Sequence, residues 1–375
     1  MQFQRVRLAS IGYTLPQEVL SSDWIENQLA PLYTRLGLPP GRLELMTGIS
    51  QRRQWPAGTM PSERSAESGN RALAVGGIPP EKIDLLIHGS VCRDYLEPAT
   101  ASRVHHLLGL GADCHLYDVS NACLGLLNAM VQAAAMIETG QVRAALVVGT
   151  EESRYLLETT IQMLNNDSSL TRQDIKLTLA SLTIGSGSAA LLLAHEDLAP
   201  QASPLLSATA FASTEHHELC QSIQDEAVGE QMQPLMHTDS EALMREGIRT
   251  GQQTFERFLA QSGWSAGDID RTICHQVGGA HRTSLLETLQ LDEANDFASF
   301  PWLGNTGSVA LPITLAVAAE QQFLQPDQKL ALMGIGSGIN CLMLGARWGE
   351  TPVAGNSELI GHQAEPPPVT SSISR

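Results

Sequence analysis

Four short segments of this chain combine residue types that can carry chemistry. The first is Asp118-Val119-Ser120-Asn121-Ala122-Cys123-Leu124-Gly125. An apolar strand should end near Val119 and a long Ala/Leu-rich helix begin near Cys123. That places a thiol beside the positive end of a helix dipole and its unpaired N–H groups, a setting that favours the thiolate. Ser120 and Asn121 suit the helix cap, and Gly125 permits close approach of another backbone or a ligand. The second segment is Cys274-His275-Gln276-Val277-Gly278-Gly279. There a strand stops and a glycine-containing turn enters a helix, so His275 faces the usual ligand crevice of an α/β sheet. The third, Gly304-Asn305-Thr306-Gly307-Ser308, is a tight turn onto a helix in which Asn305 can present an amide donor. The fourth, Gly334-Ile335-Gly336-Ser337-Gly338, is followed by another apolar strand, Cys341-Leu342-Met343-Leu344. It therefore lacks the following helix that dinucleotide binding needs, and it suits a loop of backbone N–H donors for an oxyanion. Singly, the first three have ordinary alternatives: a buried core thiol, a hydrogen-bonded structural histidine, a capped turn. Together they point to covalent acyl chemistry, in which a thiolate takes an acyl group from a thioester while His and Asn donors stabilise an oxyanionic second reactant.

The elements that must position these groups follow an α/β pattern. Strands are expected over 83–88, 114–119, 144–149, 188–194, 271–275 and 330–334, and helices over 65–75, 99–108, 123–139, 240–261, 279–289 and 309–323. Ile83-Asp84-Leu85-Leu86-Ile87 precedes a helix that ends at Leu107-Leu108-Gly109-Leu110. About 186 residues later, Ile269-Asp270-Arg271-Thr272-Ile273 precedes a helix that ends at Leu289-Gln290-Leu291. The same order of helix, strand, Gly/Ser turn and hairpin then continues in both places. This is a two-copy repeat, with an N-terminal half at 1–200 carrying Cys123 and a C-terminal half at 201–350 carrying His275 and Asn305. Such halves often place a site at their junction. Residues 351–375, with Pro366-Pro367-Pro368 and a Ser/Thr cluster, read as a disordered tail.

Composition narrows the partners. The 375 residues carry 23 basic and 40 acidic side chains, a net charge of −17, which disfavours nucleic acid and an anionic membrane surface. The longest apolar runs, such as Ala189–Ala194, fall far below the roughly 20 residues of a membrane span. The N-terminus lacks a signal-peptide apolar region, so a cytoplasmic location is expected. The six cysteines (92, 114, 123, 220, 274, 341) show no C-x-x-C pairing and read as free thiols. The pairs His105-His106 and His216-His217 do not share a helix face, which argues against a metal site. Leu124, Leu126, Leu127, Met130, Met163 and Leu164 could line acyl channels, although apolar helical stripes are usually ordinary core.

With Thr47-Gly48-Ile49-Ser50-Gln51-Arg52-Arg53, which looks like an early Thr-Gly-Ile-x-x-Arg signature, these motifs resemble the thiolase superfamily and, within it, the ketoacyl-ACP synthase III-like condensing enzymes. The resemblance covers about residues 1–350. It implies a five-layered αβαβα fold from two duplicated halves, a homodimer, acyl-thioester substrates carried on CoA or carrier-protein phosphopantetheine, and no other cofactor. Cys123 falls on the nucleophile, His275 and Asn305 on the His-Gln and Gly-Asn-Thr motifs, and the backbone N–H groups of Cys123 and Ser337 on the oxyanion hole. Arg93-Asp94-Tyr95-Leu96-Glu97-Pro98-Ala99-Thr100 is similar to a segment of the head-to-head condensing enzymes of bacterial olefin biosynthesis. There the matching glutamate enters the neighbouring subunit's site as the base that removes an α-proton. The resemblance thus implies a Claisen condensation of two fatty acyl-CoAs without decarboxylation, with Glu97 as base. The alternative is a synthase III that extends an acyl-CoA primer with malonyl-ACP. A malonyl donor makes its carbanion by losing CO2, whereas an unactivated acyl thioester needs a base. Arg42, which stands where synthase III enzymes typically carry a tryptophan, is with Arg52 and Arg53 a candidate basic patch for the phosphopantetheine end of the carrier.

Overall fold

The computed structural model describes residues 1–222 and 235–360. Its central sheet contains β1 (Val6–Thr14), β2 (Leu85–Gly89), β3 (His115–Val119), β4 (Ala144–Glu151), β5 (Gly187–His195), β6 (Ser203–Ala212), β7 (Arg271–Cys274), β8 (Lys329–Gly336), β9 (Asn340–Arg347) and β10 (Val353–Ala354). The order across it is β7-β8-β9-β6-β1-β5-β4-β2-β3, with β10 parallel to β1.

The pairing repeats. In one half β1–β5 and β5–β4 are antiparallel and β4–β2 is parallel. In the other, β6–β9 and β9–β8 are antiparallel and β8–β7 is parallel. Beyond β2 the parallel strand β3 completes the first half; beside β7 a single parallel bridge, Thr272 to Asp296, occupies the corresponding place. The halves join where β1 meets β6 antiparallel, Leu8 beside Ser203. This is the duplicated thiolase-like architecture, with the seam between β5 and β6 in the chain.

Alternating strand side chains divide the core into layers. Leu85, Ile87, Ala145 and Val147 face one cluster with the helices α3 (Gly125–Glu138) and α6 (Ala310–Glu320). Leu86, Leu146 and Val148 face the other side, under α1 (Pro61–Gly76) and α2 (Thr100–Leu108). In the second half Ala331 and Met333 pack under α4 (Ser240–Ser262) and α5 (Gly279–Leu289). The middle layer is apolar all round because it has no face to water: every residue of α6 from Ala310 to Ala318 is buried. Leu124, Leu126, Leu127 and Met130 belong to this central core, each at 1% exposure or less, and Leu164 is likewise core in a separate cluster against which Met163 packs. They serve packing first, each buried leucine contributing about 1.5–3 kcal/mol.

The first ten residues of the expected disordered tail are built into the fold. Thr351 Oγ1 donates to the Leu8 carbonyl, β10 pairs with β1, and the Asn356 amide bonds both the N–H and C=O of Leu15. Residues 361–375 lie outside the described residues. Among the described residues no helix is long and apolar enough to cross a membrane.

Candidate active site

Cys123 lies in the turn between β3 and α3. The helix begins at Gly125, two residues later than its composition suggests, with Leu124 as cap. Ala122 takes a left-handed conformation (φ 44°), which costs an L-residue roughly 1–2 kcal/mol. This bend reverses the chain under Cys123, with Leu124 N–H donating to the Asn121 carbonyl and Gly125 N–H to that of Ala122. Asn121 Nδ2 donates to Asn128 Oδ1, tying the turn to the first turns of α3. The start of α3 is pressed against the end of β2: a methyl on Gly89 would lie 2.8 Å from the Gly125 carbonyl oxygen. Only glycines fit this crossing, and it brings the thiol to the carboxyl ends of the strands.

The second half arrives at the same place. A methyl on Gly336, at the end of β8, would lie 3.5 Å from the Cys123 nitrogen, and one on Gly334 would strike Leu124 and Leu127. The β8–β9 turn carrying Ser337 is therefore set beside the Cys123 N–H; Asn340 Nδ2 holds the Ser337 carbonyl at 3.1 Å. His275 follows β7 and donates its N–H to the Met333 carbonyl of β8. Gln276 fixes the next turn: its Nε2 donates to the Cys274 carbonyl, and its Oε1 accepts from the N–H groups of Ser299 and Phe300. Asn305 is held by its backbone, N–H to the Thr183 carbonyl and C=O from Gly185 N–H. Its Oδ1 accepts from Gly307 N–H at 3.0 Å, which commits the oxygen and leaves Nδ2 as the amide's donor.

Electrostatics depart from the sequence reading. Burial, then the Glu151 carboxylate, then the Cys220 thiol push the Cys123 thiol up to about 12. Desolvation of the charge outweighs a helix end that starts two residues away, so Cys123 rests as a thiol. His275 is 5% exposed, and burial followed by the nearby His281 lowers it to about 3. It is a neutral imidazole throughout the physiological range. His281 is buried too and lowered to about 4, with Nδ1 unpaired.

Glu97 is exposed, on the segment between β2 and α2. Three carboxylates tie that segment down. Glu151 accepts from Val91 and Cys92 N–H, Asp94 Oδ1 accepts from Ser62 N–H at the start of α1, and Asp118 accepts from Thr100 and Ala101 N–H at the start of α2. Around Glu97, Val91 (48%), Tyr95 (51%) and Leu96 (75%) are exposed apolar side chains.

The arginine patch is corrected. Arg52 and Arg53 are 0% and 1% exposed, too deep to meet a carrier at the surface. Arg52 Nη1 donates to Ser22 Oγ, and burial lowers its guanidinium to about 9. Arg53 braces the Pro16 and Leu359 carbonyls, stapling the segment around Leu359 to the first half. Arg42 remains accessible, on a short helix over Arg42–Thr47. Sequence reasoning missed Glu151, Asp118, Gln276 and His281. The available signal for Glu151 was an acid at the carboxyl end of the apolar strand Ala144–Glu151, at the crevice. Among the described residues no cluster of three or more His, Cys, Asp or Glu could hold a metal ion.

Residues 44–181 match the thiolase N-terminal domain family, and residues 259–348 match the 3-oxoacyl-[acyl-carrier-protein] synthase III C-terminal family. The chain is 39% identical over 351 residues to an acyl-CoA:acyl-CoA alkyltransferase of Shewanella oneidensis, covering 93% of this chain and all of that protein. The chain belongs to the acyl-CoA:acyl-CoA alkyltransferase family of thiolase-fold condensing enzymes. A Xanthomonas campestris alkyltransferase is 35% identical over 348 residues, again with 93% and 100% coverage. The crystal structure of a variant of Xanthomonas campestris OleA superposes with a TM-score of 0.87 at 35% identity, covering 93% of this chain and 98% of that one. Another variant of OleA, crystallised with lauric acid and lauroyl-CoA, gives 0.86. A β-ketoacyl-[acyl-carrier-protein] synthase III of Bordetella petrii is more distant, 25% identical over 332 residues.

Proposed function

We propose that this enzyme joins two fatty acyl-CoA molecules by a non-decarboxylative Claisen condensation. Cys123 gives its proton to His275 and attacks the first thioester; the S–C bond to the enzyme forms as the bond to CoA breaks, and CoA leaves as the thiol with that proton. The second acyl-CoA binds with its carbonyl oxygen toward His275 and Asn305 Nδ2. Glu97 of the partner subunit removes its α-proton, and the carbanion attacks the Cys123 thioester. The developing oxyanion is met by the Cys123 and Ser337 N–H groups. A C–C bond forms, the C–S bond to Cys123 breaks, the departing thiolate regains a proton as Glu97 gives up the one it took, and the product is a β-ketoacyl-CoA or, after hydrolysis, the free β-keto acid. No cofactor beyond the CoA or phosphopantetheine carrier is needed, and Arg42 is the surface cation left to meet it.

The observation that carries this reading is Glu97: an exposed carboxylate on a segment rooted by Glu151 and Asp118 beside the Cys123 turn. Decarboxylative extension has no use for such a base. Its exposure on its own chain fits delivery to another. The sheet ends nearby at β3, which among the described residues has a strand neighbour on one side only. An open edge beside Val91, Tyr95 and Leu96 is the surface a second copy would cover, giving a homodimer. Six free thiols fit a reducing, cytoplasmic setting, and the fatty acyl substrates fit a place in fatty-acid-derived lipid synthesis.

The test is Glu97→Gln incubated with myristoyl-CoA, with and without malonyl-ACP. The expected result is Cys123 acylation without condensed product. Undiminished product made from malonyl-ACP would instead establish the synthase III reading.

A further inference from the structure

One carboxylate lies beneath the loops of this site and takes part in none of the steps above. Glu151, the last residue of β4, is 5% exposed. Its Oε1 accepts from Ser308 Oγ at 2.5 Å, Ser308 N–H at 3.3 Å and Val91 N–H at 3.1 Å; its Oε2 accepts from Cys92 N–H at 3.3 Å. A methyl on Gly307 would lie 3.0 Å from Glu151 Cγ, so the Asn305–Ser308 turn is seated directly on this side chain. Val91 and Cys92 begin the segment that carries Glu97, and Ser308 ends the turn that carries Asn305. These two pieces come from different halves of the chain, and Glu151 is bonded to both. A carboxylate is acceptor-only on both oxygens, so it alone among side chains of this size satisfies backbone donors on two sides at once.

We propose that Glu151 is a positioning residue for the condensation step, holding the Asn305 turn and the root of the Glu97 segment in one register over Cys123. The arrangement has an electrostatic cost: the same carboxylate opposes ionisation of the Cys123 thiol. An amide would hold most of the bonds without that cost. The charge therefore marks a requirement that backbone donors on both sides be met at full strength, since bonds to a charged acceptor are roughly twice as strong as neutral ones. The inference rests on the functional reading above.

The test uses the full-length enzyme with Glu151→Gln and Ser308→Ala, read in three ways: Cys123 acylation by myristoyl-CoA from intact mass, condensation rate, and iodoacetamide alkylation of Cys123 against pH. Glu151→Gln keeps Oε1 as an acceptor and turns an amide toward Cys92. It is expected to acylate within about threefold of wild type and to condense about tenfold or more slower, because displacement of a reacting geometry is costly. Its alkylation profile shifts to lower pH, since Cys220 is then the other titratable group that bears on Cys123. Ser308→Ala removes one tether and keeps the charge, so condensation falls while the alkylation profile stays in place. Condensation by Glu151→Gln within about twofold of wild type overturns the proposal. So does an unmoved alkylation profile in that variant, or a parallel loss of acylation and condensation accompanied by a large drop in melting temperature. Failure of the wild-type control to condense acyl-CoA alone overturns the functional reading itself, which is a separate result.

Discussion

Cys123 resists its own ionisation, and this sets the pH behaviour of the free enzyme. Its thiol is pushed up to about 12, so the thiolate fraction at neutral pH is small and grows about tenfold per pH unit below that value. Alkylation of Cys123 by iodoacetamide should therefore keep rising between pH 7 and 10; a plateau by pH 8 would show a thiolate stabilised in the resting site. His275, lowered to about 3, is already neutral above pH 5, so its protonation should impose no acid-side limb on acylation from pH 5 upward. His275→Ala should slow acylation about a hundredfold, the contribution of a positioned general base. The motifs around Cys123, His275, Asn305 and Ser337 were legible because each sets a distinctive residue against glycine or a strand end. Arg52 and Arg53 misled because sequence shows charge and not depth: Arg52 turns inward onto Ser22, and Arg53 spends its donors on backbone carbonyls. Glu151 was hidden for the opposite reason, being an ordinary acid whose partners, Val91, Cys92 and Ser308, are remote in the chain.

At the scale of elements, the site depends on how closely α3 crosses β2 and on how α2 begins. Gly89→Ala would drive a methyl into the Gly125 carbonyl and the Leu126 backbone, both under 3 Å away. It should destabilise the protein by about 1–3 kcal/mol in denaturant titrations and slow acylation, because the Cys123 turn moves with the helix. Asp118→Ala strips Thr100 and Ala101 N–H of their acceptor. It should cost about 1 kcal/mol as a lost cap and lower condensation more than acylation, since α2 follows directly on the Glu97 segment. Most elements near the site were readable: 279–289 is the helix Gly279–Leu289, and 330–334 lies inside Lys329–Gly336. The strands that join the halves were not. Val6–Thr14 carries Arg7, Ser10 and Gly12 among its apolar residues, and Ser203–Ala212 is mostly small residues with a proline. Their strand character comes from being clamped between neighbours, a tertiary effect that local pattern does not register.

At the scale of the whole molecule, the duplication was visible as recurring element order, and the pairing β1-β5-β4-β2 against β6-β9-β8-β7 is its physical form. On the proposed reading, the base that serves Cys123 is Glu97 of a second copy of the chain. Co-expressed Cys123→Ser and Glu97→Gln subunits test this. Each variant alone should be inactive, while in a mixed dimer one site of two unites an intact Cys123 with the partner's intact Glu97. A random mixture should then recover about a quarter of wild-type condensation; no recovery would place Glu97 in its own subunit's site, and an active Glu97→Gln variant would place it outside the chemistry. The most direct measurement is the mass of the product formed by the wild-type enzyme from acyl-CoA labelled with carbon-13 at the carbonyl carbon, with no malonyl donor present. Condensation of two acyl-CoA molecules yields a β-keto product that retains both labelled carbons, with Cys123 carrying one labelled acyl group before it appears. Labelled free fatty acid as the sole product, or condensation that begins only when malonyl-ACP is added, would contradict it.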